Sequence, residues 1–288
     1  MSRKRNENRI NSVTDAPTPP PNVLEGSTES KDSMFSFVMP TEIVDLPSRG
    51  TFYPENHPLH GKSTVEIKYM TAKEEDILTS KTLVNKGIVL DRLLSSIIMD
   101  KNVNPDDLLV GDKNALLVAA RTTGYGSRYE AAVNCPNCAA SFTHAFELDE
   151  IEVNEEPDFE ELGVTLDNGL FFFELPTSKV TVGIQLLTGK EEKELARVAE
   201  KKKKYNLPEA TLTDLLKTII VSANGSEDKA LISQFVDVMP ARDSRALRTT
   251  YTNISPDVDL TQDITCPECG TGSVVEVPFT GDFFWPRS

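Results

Sequence analysis

The sequence has few of the residues and patterns on which most enzymes and membrane proteins depend. Its 288 residues include 3 histidines, 4 cysteines and 1 tryptophan. It has no glycine-rich phosphate loop, no GxSxG and no HExxH. No apolar run approaches the roughly 20 residues that cross a bilayer. We therefore predict a protein that is not an enzyme and has no membrane span.

Positive charge is scarce as well. The chain has 30 Lys and Arg against 45 Asp and Glu, a formal net charge of −15. Non-specific binding to nucleic acid depends on neutralising phosphates with cationic side chains, so we expect no nucleic-acid partner. The apolar content of 39% and the charged content of 26% are ordinary for a soluble globular protein.

The few cysteines are grouped in two CPxC turns. Cys135 and Cys138 form the first pair, Cys266 and Cys269 form the second, and 127 residues lie between the two pairs. Two residues between cysteines allow both thiolates to face one metal ion, which is half of a tetrahedral zinc site. We predict that these four cysteines bind structural Zn²⁺, one ion per chain, if the intervening chain folds so that the turns meet.

Other uses of paired cysteines stay open. Disulfides fit less well, because no secretory signal is evident and proline occupies each two-residue gap. Redox-active CxxC motifs lie at the start of a helix after a buried strand, whereas hairpin-like sequence flanks Cys135. His144 is an alternative ligand, although we expect it on the hairpin surface. The spacing leaves open whether the two pairs share one site.

The two halves of the chain repeat one order of patterns. Strand-like sequence leads into Thr71–Glu74 in the first half and into Thr188–Glu191 in the second, and both have the T-x-x-E form of a capping box. Further matches are apolar residues at helical spacing at 90–98 and 212–220, and Arg-Thr-Thr at 121–123 and 248–250. We predict an α+β fold of two tandem repeats of strand, helices and β-hairpin, each with a CPxC knuckle, joined in one zinc-ribbon-like site.

These patterns divide the chain into five segments. They are a disordered N-terminal tail at 1–33, an extended docking segment at 34–62, the first repeat at 63–150, an acidic linker and strand at 151–178, and the second repeat with an aromatic C terminus at 179–288. The tail is rich in Pro, Ser and Asn and has little apolar surface to offset the entropy of ordering. The linker region favours either a simple connection or a surface for a basic protein partner.

Two stretches have the composition of partner-binding surfaces. The loop at 45–54 combines a proline turn, a glycine suited to positive φ and two aromatic residues, so it docks on a partner or packs across its own domain. The aromatic C terminus packs on this fold or inserts into a neighbour. The predicted partner-binding residues are Leu46, Pro47, Arg49, Gly50, Phe52, Tyr53, Pro54, Phe283, Phe284 and Trp285.

Several runs together resemble a known family. They are DLPSRGTFYP at 45–54, LLVGDKNALLVAARTTGYG at 108–126, the CPNC and CPEC turns, and FFWP at 283–286. In this order they resemble the baseplate hub protein family of contractile-tailed, T-even-like bacteriophages. The resemblance implies hetero-oligomeric contacts with other baseplate, hub and tail proteins, in the virion and, during assembly, in the host cytoplasm. It supplies no catalytic residues, and the zinc prediction rests on the cysteine spacing alone.

The sequence leaves three functions open. The first is a structural component of the tail baseplate or hub. The second is an assembly factor that scaffolds the hub and is not retained in the virion. The third is a cellular zinc-ribbon adaptor protein, against which the missing basic surface counts.

Overall fold

The computed structural model describes residues 39–154, 156–205, 207–208, 210–278 and 283–284. The tail predicted at 1–33 and the predicted partner contact Trp285 lie outside these residues. In the described part helices and strands are mixed, which confirms a fold with both kinds of element. No helix of that part is both long enough and apolar enough to traverse a bilayer.

The first half contains two β-hairpins separated by four helices. Its elements are β1 (Thr41–Asp45), β2 (Thr64–Lys68), α1 (Ala72–Thr79), α2 (Lys81–Asn85), α3 (Val89–Ile97), α4 (Val110–Tyr125), β3 (Arg128–Asn134) and β4 (Ser141–Glu147). The strands pair antiparallel, β1 with β2 and β3 with β4. Along α3, Leu93, Leu94 and Ile97 are fully buried because apolar residues at this spacing share one face of a helix.

The second half contains a four-stranded antiparallel sheet, four helices and a last hairpin. A 3-10 turn at Leu148–Glu150 leads to β5 (Thr165–Asp167), β6 (Leu170–Glu174), β7 (Thr181–Ile184), α5 (Gly189–Lys204), α6 (Thr211–Ile219), β8 (Ile220–Ala223), α7 (Lys229–Val238), α8 (Ala241–Ile254), β9 (Thr261–Thr265) and β10 (Gly272–Glu276). The sheet order is β5-β6-β7-β8, and β9 pairs with β10. Buried side chains of both halves join in one hydrophobic cluster.

Both predicted capping boxes are confirmed. At the start of α1, Glu74 accepts a hydrogen bond from the Thr71 amide at 3.0 Å. At the start of α5, Glu191 accepts one from the Thr188 amide at 3.1 Å. Each carboxylate satisfies a main-chain donor that the helix itself leaves unpaired, and it lies where the helix dipole favours negative charge.

The two Arg-Thr-Thr runs that the sequence analysis aligns both lie in helices, α4 and α8, but they differ in burial, since Arg121 is buried and Arg248 is exposed. The helices α4 and α8 also share a D-x-x-A-L pattern that begins in the first turn of each. Asp112 and Asp243 begin it, and both are completely buried. Each holds a proline-containing loop of its own half: Asp112 accepts from the Ser48 amide at 2.9 Å, and Asp243 accepts from the Thr177 amide at 2.7 Å.

Buried charges also connect the halves. Lys113 of α4 lies 3.6 Å from Asp91 of α3 and 2.7 Å from Glu192 of α5, measured from Nζ to carboxylate oxygen. Lys193 of α5 lies 2.8 Å from the other oxygen of Asp91. Since a buried charge is costly without a partner, this arrangement fixes the first turns of α5 against the first half.

Candidate metal centre

The two CPxC turns have the same main-chain geometry. Each connects the strands of a hairpin, β3 to β4 or β9 to β10. The turn-closing hydrogen bonds are Cys135 N to Ala140 O at 2.8 Å, Ala139 N to Cys135 O at 2.9 Å, Cys266 N to Thr271 O at 3.1 Å, and Gly270 N to Cys266 O at 2.9 Å. The first cysteine of each turn is buried and the second is exposed.

All four sulfurs lie together. Their Sγ atoms are within 4.8 Å of one another, with Cys135 3.8 Å from Cys269 and Cys138 3.7 Å from Cys266. A disulfide would bring two sulfurs to about 2.05 Å, and all four cysteines are free. A tetrahedral ion with Zn–S bonds of about 2.3 Å separates its sulfurs by about 3.8 Å. The two pairs therefore form one cluster whose dimensions and soft thiolate ligands fit zinc.

The cysteines cross over between the turns. The first cysteine of one turn, Cys135, is nearest the second cysteine of the other, Cys269, and Cys138 is correspondingly nearest Cys266. Such reciprocal contacts are what a two-fold axis between two similar units produces.

Neighbouring donors give the sulfurs unequal acidity. The main-chain amide of Cys138 lowers the pKa of Cys135. The hydroxyl and amide of Thr271, together with the Asn137 amide, lower the pKa of Cys269 to about 6. For Cys138 the Ala140 amide acts in the same direction, but the neighbouring sulfurs and burial outweigh it and raise the pKa to about 12. Four sulfurs this close repel one another as thiolates, and a bound divalent cation would relieve that repulsion.

Two polar contacts hold the hairpins together, one beside the sulfurs and one near the other end of the strands. The Asn137 side-chain amide donates to Thr271 Oγ1 at 3.1 Å and lies 3.7 Å from Cys269 Sγ. The side chain of Gln262 on β9 accepts from the Glu147 amide at 3.1 Å and donates to the Glu147 carbonyl at 2.7 Å. Neither Asn137 nor Gln262 is among the site residues that the cysteine spacing predicts. The only signal for Asn137 is its position between two ligand cysteines.

His144 lies apart from the four-sulfur cluster. It is on β4 opposite Ala131 of β3, and its ring meets the edge of the Phe146 ring at a centroid distance of 4.8 Å. The four-sulfur cluster is complete without it.

The loop at 45–54 packs largely against its own chain. Of its predicted partner contacts, Leu46, Pro47, Gly50 and Tyr53 are buried. The Tyr53 hydroxyl donates to Asp112 at 2.7 Å and accepts from the Leu109 amide at 3.0 Å.

Position 50 of this loop can be occupied only by glycine. Its φ is +72°, and a Cβ there would lie 2.4 Å from the Leu59 carbonyl oxygen. The remaining predicted contacts of the loop are half-buried Phe52 and exposed Arg49 and Pro54, and for these side chains a partner contact stays a prediction.

The C-terminal aromatic residues within the described part are also buried. Phe283 and Phe284 are 1% and 3% exposed. The Phe283 ring meets Tyr129 of β3 edge to face at 5.1 Å, and its carbonyl accepts from Arg121 Nε of α4 at 2.7 Å. Through these contacts the C-terminal end of the second half packs against β3 and α4 of the first half. A role for Phe283 and Phe284 in binding a partner stays a prediction.

Fold and site together define a mixed helix-and-sheet protein whose two distant hairpins meet at a four-cysteine cluster able to bind a metal ion. Residues 39–285 match the sequence model of the family described as T4 bacteriophage base plate protein, and the chain belongs to that family. This confirms the resemblance to T-even-like baseplate proteins. No curated protein and no solved structure matches the chain.

Proposed function

We propose that the chain is a structural component of the phage tail baseplate or hub that acts through protein–protein contacts and is stabilised by one Zn²⁺ bound to its four cysteines. The observation that carries the proposal is the family match over 39–285, which spans both cysteine hairpins. Its partners are other baseplate, hub and tail proteins in a hetero-oligomeric assembly, and the chain performs no catalysis. Its place is the virion tail, with the host cytoplasm as the site of assembly.

The zinc has a structural role. Each hairpin alone offers two thiolates, and tetrahedral zinc needs four ligands, so the ion connects residues at least 128 positions apart in sequence. The sulfur spacing of 3.7 and 3.8 Å supports this assignment. Because such a site does not exist in the unfolded chain, the free energy of metal binding contributes to the free energy of folding.

The halves are tandem repeats of one unit. Support comes from the reciprocal sulfur contacts, the two capping boxes and the matched aspartates at the starts of α4 and α8. In addition, the residue that follows the helices α1 to α3, Ile98, pairs with Ile67 of β2, and Ile220 after α6 pairs with Ile184 of β7. One duplicated hairpin unit thus supplies half of the site twice.

Metal content of the purified chain tests the zinc part of the proposal. We expect one zinc ion per chain by elemental mass spectrometry, and we expect Cys138→Ser to lose it together with thermal stability. Glu268→Ser is the matched control, since it alters an exposed residue between the cysteines of the other turn and removes no sulfur. Full zinc content in Cys138→Ser would contradict a four-cysteine site.

Particle composition tests the structural role. We would count this chain against a tail-tube protein by quantitative mass spectrometry of purified particles and of infected-cell lysate. A fixed number of copies per particle is the expected result. Abundance in the lysate with absence from particles would contradict it and identify an assembly factor instead.

A further inference from the structure

The exposed face of α8 carries positive charge without a counter-charge. Arg242, Arg245 and Arg248 recur every three residues, and all three are exposed. Among the described residues, none of them has a hydrogen-bond or salt-bridge partner, although exposed arginines elsewhere, such as Arg49 and Arg128, do. The chain as a whole is strongly negative, at −15, so this face is opposite in sign to the net charge of the protein.

The buried residues of α8 and its three arginines lie on opposite faces of the helix. Successive residues turn by about 100°, which places Asp243, Leu247 and Ile254 on the buried side. The only carboxylate of α8, Asp243, therefore faces inward, where it accepts the amides of Thr177 and Ser178. No acidic side chain of α8 itself neutralises the arginine face.

The same face contains a shallow recess of about 330 Å³. It is lined by Arg245, Arg248, Thr249, Thr252 and Asn253. Two guanidinium groups, two hydroxyls and one amide are all hydrogen-bond donors, and arginine presents its donors in a planar fork that matches an oxyanion. The recess has the chemistry of a carboxylate or phosphate site.

We propose that this face of α8 docks a carboxylate-rich segment of a partner protein, with paired Asp or Glu side chains in the recess. The inference deepens the proposed baseplate function, on which it rests. Arg242 and Arg248 are separated by about 9 Å along the helix axis, which suits two or three neighbouring carboxylates. A nucleic acid extends far beyond such a patch, needs more phosphate contacts for useful affinity, and would meet the negative remainder of the chain.

The binding test uses the full zinc-loaded chain and a fluorescent glutamate-rich peptide as the probe, with a short DNA duplex as the comparison. We expect Arg245→Gln/Arg248→Gln to bind the peptide roughly tenfold more weakly than wild type. Arg92→Gln/Arg197→Gln is the matched control, because it removes two charges from exposed positions on α3 and α5, and it should bind as wild type does. All four positions are exposed, so unfolding midpoints should not change.

Two results would overturn the proposal. An equal loss of peptide affinity in the control variant would mean that overall charge, and not the α8 recess, attracts the probe. Tighter binding of the duplex than of the peptide, lost in the Arg245→Gln/Arg248→Gln variant, would assign the recess to nucleic acid.

Incorporation into particles separates this inference from the proposed function. The Arg245→Gln/Arg248→Gln variant should be depleted from particles relative to the control variant. A normal copy number of this variant would overturn the docking surface and leave the baseplate role intact. Absence of even the wild-type chain from particles would overturn the baseplate role, while specific peptide binding by α8 would still stand.

Discussion

Among single residues, Ala139 and Gly270 occupy the same position of the two CPxC turns and have the same left-handed backbone conformation. Ala139 and Gly270 directly follow the second cysteine of each turn, with φ of +59° and +68°. This left-handed region costs a residue with a Cβ about 1–2 kcal/mol and is freely accessible to glycine. Nothing lies within 4 Å of a Cβ built on Gly270. An alanine at this position would therefore differ from glycine in stability only through its backbone conformational energy.

Reciprocal substitutions should therefore change stability in opposite directions. Gly270→Ala should lower the free energy of unfolding by about 1 kcal/mol, and Ala139→Gly should raise it by about 0.5 kcal/mol, because relief of backbone strain exceeds the added entropy of the unfolded chain. Urea unfolding of the zinc-loaded proteins measures both changes. A loss of stability in both variants would show that glycine is not favoured at Ala139.

At the scale of elements, Glu74 joins a strand and two helices. Its buried carboxylate accepts from Lys68 of β2 at 2.7 Å, from the Thr71 amide before α1 at 3.0 Å, and from the Ser96 hydroxyl of α3 at 2.5 Å. Burial by itself raises the pKa of Glu74, but these donors together outweigh it and lower the pKa to about 2. The capping-box sequence predicts only the contact with Thr71, since Lys68 and Ser96 belong to other elements.

The lowered pKa of Glu74 makes the free energy of unfolding depend on pH. Because its folded pKa lies below its unfolded value near 4.5, the stabilisation is fully present above about pH 5 and is lost as pH falls towards 2. Its size is about 3 kcal/mol. We expect Glu74→Gln to reduce stability by up to this amount at pH 7 and by much less at pH 3, as measured by urea unfolding.

Asp76→Asn is the control for that experiment, since it removes a charge from an exposed position on the same helix. It should change stability by less than about 0.5 kcal/mol at either pH. A difference between wild type and Glu74→Gln that stays constant from pH 7 to pH 3 would contradict the lowered pKa.

At the scale of the whole molecule, contacts between distant segments hold the halves together at several places. The four sulfurs join residues more than 120 positions apart, and Arg121 and Phe283 are 162 positions apart. Each such contact closes a long loop of the unfolded chain, and that entropy has to be offset by burial or by metal binding.

Removing the side chain of Phe283 tests the aromatic contact. Phe283→Ala should destabilise the protein by about 3 kcal/mol, because it leaves a cavity beside Tyr129. Val274→Ala on β10, where the side chain is 64% exposed, should change stability by no more than about 0.5 kcal/mol. Thermal or urea unfolding compares the two. Equal effects would mean that Phe283 contributes no core packing.

Removing the proposed zinc ion should loosen both hairpins at once. A chelator should accelerate amide hydrogen exchange in β3–β4 and in β9–β10, because each turn loses the ion that balances its thiolates. Cys138→Ser should show the faster exchange before any chelator is added. Faster exchange in only one hairpin would contradict a single shared ion.

Local features of this protein follow from short sequence patterns. The CPxC spacing predicted the cysteine turns, and T-x-x-E predicted the first turns of α1 and α5, because these structures depend on residues a few positions apart. The alignment of the Arg-Thr-Thr runs also rests on local similarity. That Asp112 and Asp243 are both buried and each accept a loop amide depends on contacts between distant segments, which local spacing does not predict.

Contacts between distant segments also determine what two of the predicted partner-binding residues touch within the chain. Composition alone does not distinguish an aromatic loop that covers its own core from one that covers a neighbour, because both bury the same apolar surface. Folding placed Tyr53 against Asp112 and Phe283 against Tyr129. It also brought the two cysteine turns within 4.8 Å. These outcomes depend on how distant elements pack, and no periodicity within a single segment encodes that packing.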